Sequence, residues 1–571
     1  MSLLSEGRRI YDTFVRQRMT RLDRSVFHAR HEKFFPSRQQ LAHLDMFLSK
    51  WERLVFSGAS ALAIISVIGL FWSFQRFNMV TVPTTGGTFK EALVGEPQNI
   101  NPLFAATDID LSLTNVLFLP LCADAGPALA TCKFNSTLTR ATITLGDHEW
   151  HDGAAITAQD VLFTIQAMQN TAVGSPWQPA AQKITAVAAA DGTVQISVAH
   201  SMPDLPALLH VGIIPEHIWK NVDPTHMRTD SLNLKPVGSG PFQFESATAD
   251  AGGFLQSMTF DVFSDFKPKP AYIEELTFRF APDADTAADL FRSRTVDAFT
   301  AFDPSADDTI FKHDVKRYEI TPPTVVSLFF NPSKNPLFKN PDLRDAIALA
   351  IDRTAIVKNA LKSNGVPARE PFPASIIGGD LAALPDMNTA NALALLKKAN
   401  VKLPTTPLSL GVPSSAALVN AANQIVENLK AIGLPVATRT VDLENAPQDA
   451  ATQDMLLAGQ SYETPNSAYP YWNSTGSADD GVNYARYQMS EVDAWLQSLL
   501  SEPAPATRAT LLKKISNRIV ADTPAIFLYQ PVYEYFVAQK VQGVTVPPGV
   551  NADERFQNIT SWFISTKQVK K

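Results

Sequence analysis

The stretch DHEWHDG, residues 147–153, holds the densest group of side chains that could do chemistry. His148, Glu149, His151 and Asp152 combine imidazole with carboxylate, which suits a zinc or nickel ion. The alternative is a strand-to-helix turn, because a glycine follows and two histidines three residues apart on an extended chain face different sides. We favour the turn, and the sequence therefore predicts neither a metal site nor a catalytic residue here.

Motifs of well-known enzyme classes are absent from the sequence. It contains no G-x-S-x-G elbow, no G-x-x-x-x-G-K-[ST] loop, no H-E-x-x-H and no C-x-x-C. A formal net charge of -7 argues against a nucleic-acid-binding protein, which normally carries a basic binding face. We therefore predict a protein that is not an enzyme, needs no cofactor and binds no nucleic acid.

Charge is distributed unevenly along the chain. Residues 1–53 hold eleven Lys and Arg against six Asp and Glu, whereas residues 77–571 hold 37 against 50. Between them lies an uncharged, largely apolar run of 22 residues, 54–75. At about 1.5 Å per residue, a helix of this length crosses a hydrocarbon core of roughly 30 Å. The sequence predicts a transmembrane anchor at 54–75, followed at 76–86 by a tether rich in Pro, Thr and Gly.

The alternatives to an anchor are a buried core helix and a cleaved signal peptide. Trp51 and Trp72, near the two ends of the run, are typical of membrane interfaces, and a signal peptide would begin closer to the start of the chain. By the positive-inside rule, residues 1–53 stay in the cytoplasm as a basic segment. We therefore expect a single-pass protein of the cell membrane whose large C-terminal part is extracellular or periplasmic.

The two cysteines, Cys122 and Cys132, both follow the anchor. An exported compartment permits disulfides, and the turn-forming segment ADAGPALAT between the two cysteines favours a local bridge. Two unpaired buried thiols are the alternative.

Helix starts can be identified at two places in the C-terminal part. Thr157 with Asp160 three residues later forms a capping-box pattern ahead of an apolar run. Asn340 followed by Pro341 predicts a second start, since proline suits the first turn of a helix. Both helices are predicted to be amphipathic.

Strand patterns alternate with these helices, without a short repeat. Residues 408–412, 417–433 and 436–441 indicate strand, helix and strand, which predicts a parallel strand pair. Residues 324–330 and 525–537 have the apolar composition of buried strands. The predicted fold class is α/β, or mixed α+β.

Six segments match, in order, the signature segments of a known family. They are EPQNINPLF (96–104), EWHDGAAITAQDVLFTIQAM (149–168), IIPEHIW (213–219), PVGSGPFQF (236–244), FNPSKNPLFKNPDLRDAIALAIDRTAIV (330–357) and FLYQPVY (527–533). The sequence resembles the family 5 extracellular solute-binding proteins of ABC transporters, the peptide, oligopeptide and nickel binding group. The resemblance covers roughly residues 87–565.

The resemblance implies a two-lobed, periplasmic-binding-protein-like fold with a third subdomain inserted in the first lobe, here preceded by one transmembrane helix. In a solute-binding domain at 87–565, lobe I would take residues 83–121, 235–323 and 530–571, the inserted subdomain 122–234, and lobe II 324–529. The strands at 324–330 and 525–537 would then lie at the crossovers between lobes. Hinges at such places can absorb the rotation that closes the lobes over a ligand.

The resemblance also implies how a ligand is held. Family members bind peptides by strand addition, in which the ligand backbone pairs with protein main chain. The segment along the ligand would be Ala106, Thr107 and Asp108 in lobe I, and Gly459, Gln460 and Ser461 in lobe II.

One family feature has an ambiguous counterpart in this chain. In peptide binders, an aspartate just after the lobe II glycine pairs with the α-amino group of the ligand. Counting forward from Gly459 leads to Glu463, whereas counting back from Pro465 leads to the uncharged Ser461. Glu463 is thus either the amine anchor or a solvated loop carboxylate, and both interpretations stay open.

The aromatic stretch PNSAYPYWNS, residues 465–474, either lines a pocket or forms a surface loop over a packed Trp472. We include Tyr469 and Trp472 among the predicted ligand-binding residues.

These inferences predict a membrane-tethered extracellular protein that captures a peptide between two lobes. It would deliver the peptide to the permease and ATPase of an ABC transporter. One alternative is an exported binding protein repurposed as a sensor or chaperone. Another is a metal-dependent or hydrolytic enzyme on the same scaffold.

Overall fold

The computed structural model describes residues 49–77, 79–124, 126–301, 315–378, 387–400, 402–442, 446–478 and 481–570. Most of the predicted cytoplasmic segment, residues 1–48, lies outside the described residues. The chain divides into two compact units, residues 1–82 with 567–571, and residues 83–566.

The first unit contains the helix that the apolar run predicts. This helix spans Lys50–Phe77, and it is the one described helix long and apolar enough to cross a membrane. Its apolar side chains are exposed, including Trp51 at 78% and Leu70 at 69%, as expected of side chains that face lipid. The predicted fold of one apolar helix ahead of a mixed α/β domain is confirmed.

The predicted tether contains regular structure. The helix ends at Phe77, and a strand β1 (Met79–Pro83) pairs with the C-terminal strand β19 (Thr566–Lys570). Val80, Thr81 and Val82 are β-branched and favour an extended, paired backbone. The Pro, Thr and Gly residues that follow made the segment resemble an irregular tether in the sequence.

A mixed seven-stranded sheet lies in the second unit. Strand β2 is parallel to both of its neighbours, and the other pairs are antiparallel. In spatial order the strands are β11 (Val315–Ile320), β18 (Tyr533–Ala538), β10 (Ala298–Ala301), β2 (Thr88–Val94), β9 (Glu275–Ala281), β8 (Leu255–Val262) and β7 (Phe242–Ala249).

A six-stranded sheet contains the predicted strand, helix and strand unit. Strands β14 and β15 are parallel, as expected, and the helix between them is followed by Gly433, whose φ of +81° suits glycine. In spatial order the strands are β13 (Gly365–Pro367), β17 (Ala525–Pro531), β12 (Thr324–Phe330), β16 (Met455–Ser461), β14 (Leu408–Pro413) and β15 (Val436–Val441).

The chain passes between these two sheets at the places where crossovers are expected. Strands β11 and β12 belong to different sheets, and so do β17 and β18. The apolar run at 525–537 is therefore two strands, and the change of sheet follows Pro531, which has no N–H to continue a ladder. The residue boundaries of the lobes stay a prediction.

A four-stranded antiparallel sheet lies within residues 122–234, the range of the predicted inserted subdomain. Its order is β3 (Ala130–Phe134), β4 (Arg140–Leu145), β6 (Val194–Val198) and β5 (Ile184–Ala188). The predicted disulfide is confirmed, because Cys122 is bonded to Cys132 of β3 with the two Cα atoms 5.8 Å apart.

The helices begin where the capping patterns predict. Thr157 and Asp160 form the expected capping box, and the side chain of Asn340 accepts the N–H of Leu343 at 3.3 Å. The described helices are α1 (Lys50–Phe77), α2 (Asp108–Leu117), α3 (Ala158–Gln169), α4 (Gln178–Ala181), α5 (Leu205–Leu209), α6 (Glu216–Trp219), α7 (Ala284–Arg292), α8 (Pro341–Ala350), α9 (Arg353–Ala355), α10 (Ala374–Ile377), α11 (Thr389–Ala399), α12 (Ala416–Ala431), α13 (Ala446–Thr452), α14 (Ala468–Trp472), α15 (Ser490–Leu499) and α16 (Pro505–Asp522).

Candidate functional site

The first predicted binding segment lies at the N-terminus of α2. Thr107 caps this helix, and its Oγ1 accepts the backbone N–H of Asp110 at 3.1 Å. Ala106, Thr107 and Asp108 are exposed, whereas the helix residues that follow turn into the core. The main chain of residues 106–108 is thus presented to solvent on a fixed helix end.

Buried polar groups and glycines fix the position of α2. The carboxylate of Asp110 accepts the N–H groups of Gln98 at 2.8 Å and Asn99 at 3.1 Å, although burial raises its pKa. At the other end of the helix, a Cβ on Gly238 would lie 2.0 Å from the carbonyl oxygen of Leu117. The segments 96–104 and 236–244 therefore position the helix.

The second predicted segment, Gly459–Ser461, ends strand β16. Along its whole length this strand pairs with β12, where Val326 faces Gly459 and Thr324 faces Ser461. Its other neighbour, β14, pairs with it only at Met455 and Leu456. Among the described strands, none pairs with residues 458–461 on that second edge, so this edge is open to an added strand.

Aromatic residues support β16 from within the core. Gln460 is 2% exposed, and its Oε1 accepts the hydroxyl of Tyr462 at 2.8 Å. The indole N–H of Trp472 donates to the same hydroxyl at 3.1 Å. Trp472 is 1% exposed, so the structure places it beneath the strand, and Tyr469 packs partly buried against the same cluster.

Glu463 follows the end of β16 in an exposed position. The protein atoms packed around its carboxyl raise the pKa of Glu463, and the negative charge of Glu554 adds to this effect. Burial likewise raises the pKa of Tyr471, whose hydroxyl interacts with the backbone of Ser461 and lies near the Glu463 carboxylate. The two open assignments for the amine anchor are Glu463 and Ser461. Glu463 has a second carboxylate, Glu554, close enough to raise its pKa.

Carboxylates also gather beside the first segment. Burial raises the pKa of Asp553 to about 7, with further contributions from Glu554 and Asp108. The side-chain amide of Asn115 in α2 donates to Asp553 at 2.9 Å. The charge of Glu554 raises the pKa of both Asp553 and Glu463, and the charge of Asp108 raises that of Asp553. We call these four carboxylates the acidic cluster: Asp108, Glu463, Asp553 and Glu554.

Three residues of this region escape the sequence analysis: Tyr533, Asp553 and Glu554. Tyr533 lies in the signature segment 527–533, and burial together with the charge of Asp108 raises its pKa to about 12. Asn551 and Glu554 form a capping box, a pattern that is visible in the sequence. The sequence does not indicate that Asp553 and Glu554 lie near Asp108. That proximity comes from the packing of α2 against residues 552–556.

The DHEWHDG cluster is built as a turn. Burial lowers the pKa of His151 to about 4, and both of its ring nitrogens are engaged. Nδ1 accepts the N–H of Gly238 at 3.0 Å, and Nε2 lies 3.1 Å from the carbonyl oxygen of Gly240. Within the described residues no group of three or more His, Cys, Asp or Glu could hold a metal ion.

Comparison with known proteins decides the family. The model of the bacterial extracellular solute-binding proteins, family 5, matches residues 125–481, more than half of the chain. The chain belongs to this family. Family 5 proteins bind substrates, in agreement with the absence of enzyme motifs from the sequence.

Relatives of this solute-binding protein match it over most of its length. The oligopeptide-binding protein AppA of Bacillus subtilis is 24% identical over 519 residues, which cover 85% of this chain and 92% of AppA. The solved structure of the substrate-binding protein CtaP from Listeria monocytogenes has a TM-score of 0.75 at 22% identity, covering 84% of this chain and 99% of CtaP. These likenesses confirm the predicted periplasmic-binding-protein-like fold.

A structure of NikZ from Campylobacter jejuni in complex with Ni(L-His) is similar as well, with a TM-score of 0.70 at 22% identity. It covers 83% of this chain and 99% of NikZ. At this identity the likeness concerns the fold alone. In this solute-binding protein, the predicted contacts at 106–108, 459–461 and 463 remain a prediction.

Proposed function

We propose that this family 5 solute-binding protein captures a peptide by adding it as a strand to the open edge of β16. The observation that carries the proposal is the edge of β16 at residues 458–460, which no described strand pairs and which lies shortly before Glu463. A peptide backbone supplies alternating N–H and C=O groups that such an edge can pair with. Gly459 is exposed and has no side chain to obstruct the approach.

Charge supports a ligand with a free amino group. Burial raises the pKa of Glu463 and of Asp553, and the negative charge of Glu554 adds to both shifts, so a nearby cation would be stabilised by these carboxylates. An α-ammonium group supplies one positive charge and three N–H donors to Glu463. Several relatives, including the oligopeptide-binding protein AppA, are named as peptide-binding proteins.

The apolar helix α1 supports a tether to the membrane, and the family supports delivery to an ABC transporter. We therefore propose that the protein is anchored by its N-terminal helix and hands its peptide to the permease and ATPase of such a transporter.

Calorimetry of the full chain in detergent with an alanine oligopeptide tests the binding step. The free-amine peptide should bind, and Glu463→Gln should weaken its binding by about 10- to 100-fold, as expected for loss of a charge-assisted hydrogen bond. The N-acetylated peptide should bind wild type and variant alike, because it has no ammonium group.

Glu427→Gln is the matched control, because Glu427 is an exposed carboxylate on α12 of the same lobe and its loss removes the same charge. Equal affinity of wild type and Glu463→Gln for the free-amine peptide would exclude Glu463 as the anchor. No binding of any peptide would overturn the proposed ligand class.

A further inference from the structure

A cavity of about 580 Å³ is lined in part by Glu463, which follows the end of β16. One wall belongs to the inserted subdomain and includes the Cys122–Cys132 disulfide and Asp204. The opposite wall includes Thr464 and Arg508 of α16. Its volume falls within the roughly 300–1,000 Å³ that is usual for small-molecule sites.

Direct contacts join the two walls. Asp204 Oδ1 lies 3.6 Å from Arg508 Nη2, and Asp204 Oδ2 accepts the hydroxyl of Thr464 at 3.3 Å. Arg508 is 8% exposed, so its charge depends on Asp204 for compensation. The cavity is therefore already formed in this conformation, and little ordering is needed when a ligand side chain enters.

Proline residues and carboxylates are prominent in the walls. Proline has no N–H, and five prolines line the cavity: Pro203, Pro206, Pro465, Pro503 and Pro505. The carboxylate of Asp204 in the wall accepts hydrogen bonds from the side chains of Thr464 and Asn466. A ligand group that brings N–H donors suits such a surface.

The lining carries more negative than positive charge. Three carboxylates line the cavity, Asp124, Asp204 and Glu463, together with the guanidinium of Arg508 and the imidazole of His210. Arg508 is occupied by Asp204, and a ligand α-ammonium would compensate Glu463. The carboxylate of Asp124, which is exposed, is then left for a second positive charge.

We infer, on the basis of the proposed function, that this cavity receives the first side chain of the bound peptide and selects a basic one, lysine or arginine. The main-chain pairing along β16 is indifferent to side chains. Selectivity therefore arises at the first residue, where the side chain leaves the strand edge next to Glu463 and enters a negatively charged pocket. The aliphatic stem of the basic residue packs along the prolines while its charged end reaches Asp124.

The test compares oligopeptides that differ only in the first residue, with Lys, Met or Glu followed by alanines, in calorimetry with the full chain in detergent. Methionine matches the length of the lysine stem without its charge. The affinity for the Lys peptide should be at least about tenfold higher than that for the Met peptide, and the Glu peptide should bind more weakly than both.

Asp124→Asn should bring the Lys-to-Met affinity ratio close to one, because the Lys peptide loses its charged partner. Glu245→Gln is the control, since Glu245 is an exposed carboxylate outside the cavity lining. Melting temperatures of both variants should equal that of the wild type.

Equal affinities of the wild type for the Lys and Met peptides would overturn the inference and leave the proposed peptide binding intact. An unchanged ratio in Asp124→Asn would assign the preference to another place and would also overturn it. If none of the peptides bound, the proposed function would fail, and the inference with it.

Discussion

His151, although histidine often acts as a catalytic residue, has a structural role in this protein. It lies between the backbone groups of Gly238 and Gly240, the same glycines that approach the C-terminal end of α2. Because Nδ1 accepts an N–H, the hydrogen bond requires the neutral ring. The residue thereby helps to place the helix whose N-terminus carries the first predicted binding segment.

This role predicts a pH dependence of stability. The ring stays neutral in the folded protein down to a pKa of about 4, whereas in the unfolded chain it binds a proton below about 6.5. The unfolded state therefore binds more protons between these values, so the stabilising effect of neutral His151 is lost as the pH falls from about 6.5 to 4, by at most about 3 kcal/mol.

The measurement is the melting temperature of the full chain in detergent against pH, for wild type and His151→Gln. The difference between the two is needed, because Asp553, whose pKa is raised to about 7, contributes a slope of the opposite sign: its stabilising effect is lost as the pH rises. Parallel pH profiles of wild type and variant would contradict the assignment of neutral His151.

At the scale of elements, the disulfide joins Cys122, which follows the α2 region, to the first residues of β3. Both half-cystines line the cavity next to Asp204. A covalent link therefore supports the cavity wall formed by residues 122–138.

Reduction of this disulfide should destabilise the protein. A loop that joins residues ten apart in sequence stabilises by about 2–3 kcal/mol in the chain-entropy model, because the link restricts the unfolded chain. Dithiothreitol should lower the melting temperature of the wild type but not of a variant with Cys122→Ala and Cys132→Ala. The same shift in both proteins would show that reductant acts elsewhere.

At the scale of the whole molecule, the chain crosses between the seven-stranded and six-stranded sheets at residues 321–323 and again at residue 532. Both connections are short, and the first contains two prolines, which limit backbone freedom. The contacts of Asp204 with Thr464 and Arg508 form a separate link between the predicted inserted subdomain and the predicted second lobe. We expect lobe movement to turn at the two crossings and to break or form this link.

The charge distribution predicts the orientation of the chain in the membrane. With a tag at the N-terminus, protease added to intact cells, or to spheroplasts where an outer membrane is present, should remove the part after α1 and spare the tag. Permeabilised cells, in which the tag should also be lost, provide the control. Protection of the large domain in intact cells would contradict this topology.

The sequence by itself determined the features that depend on local patterns: the apolar helix, the helix starts at Thr157 and Asn340, the parallel pair at 408–441 and the disulfide. These follow from hydrophobic periodicity, capping and loop closure, which involve residues near one another in the chain. The order of several signature segments also indicated the family.

Only the tertiary structure decided which residues meet. Asp553 and Glu554 lie more than 400 residues from Asp108 in the sequence, yet helix packing brings their charges together. From the sequence alone, Trp472 could either line a pocket or pack beneath one. Its placement in the core depends on Tyr462 and the neighbouring strands. The cavity at Glu463 exists because residues 122–138 and 203–210 lie opposite residues 463–465 and 503–512, a long-range outcome that no local pattern encodes.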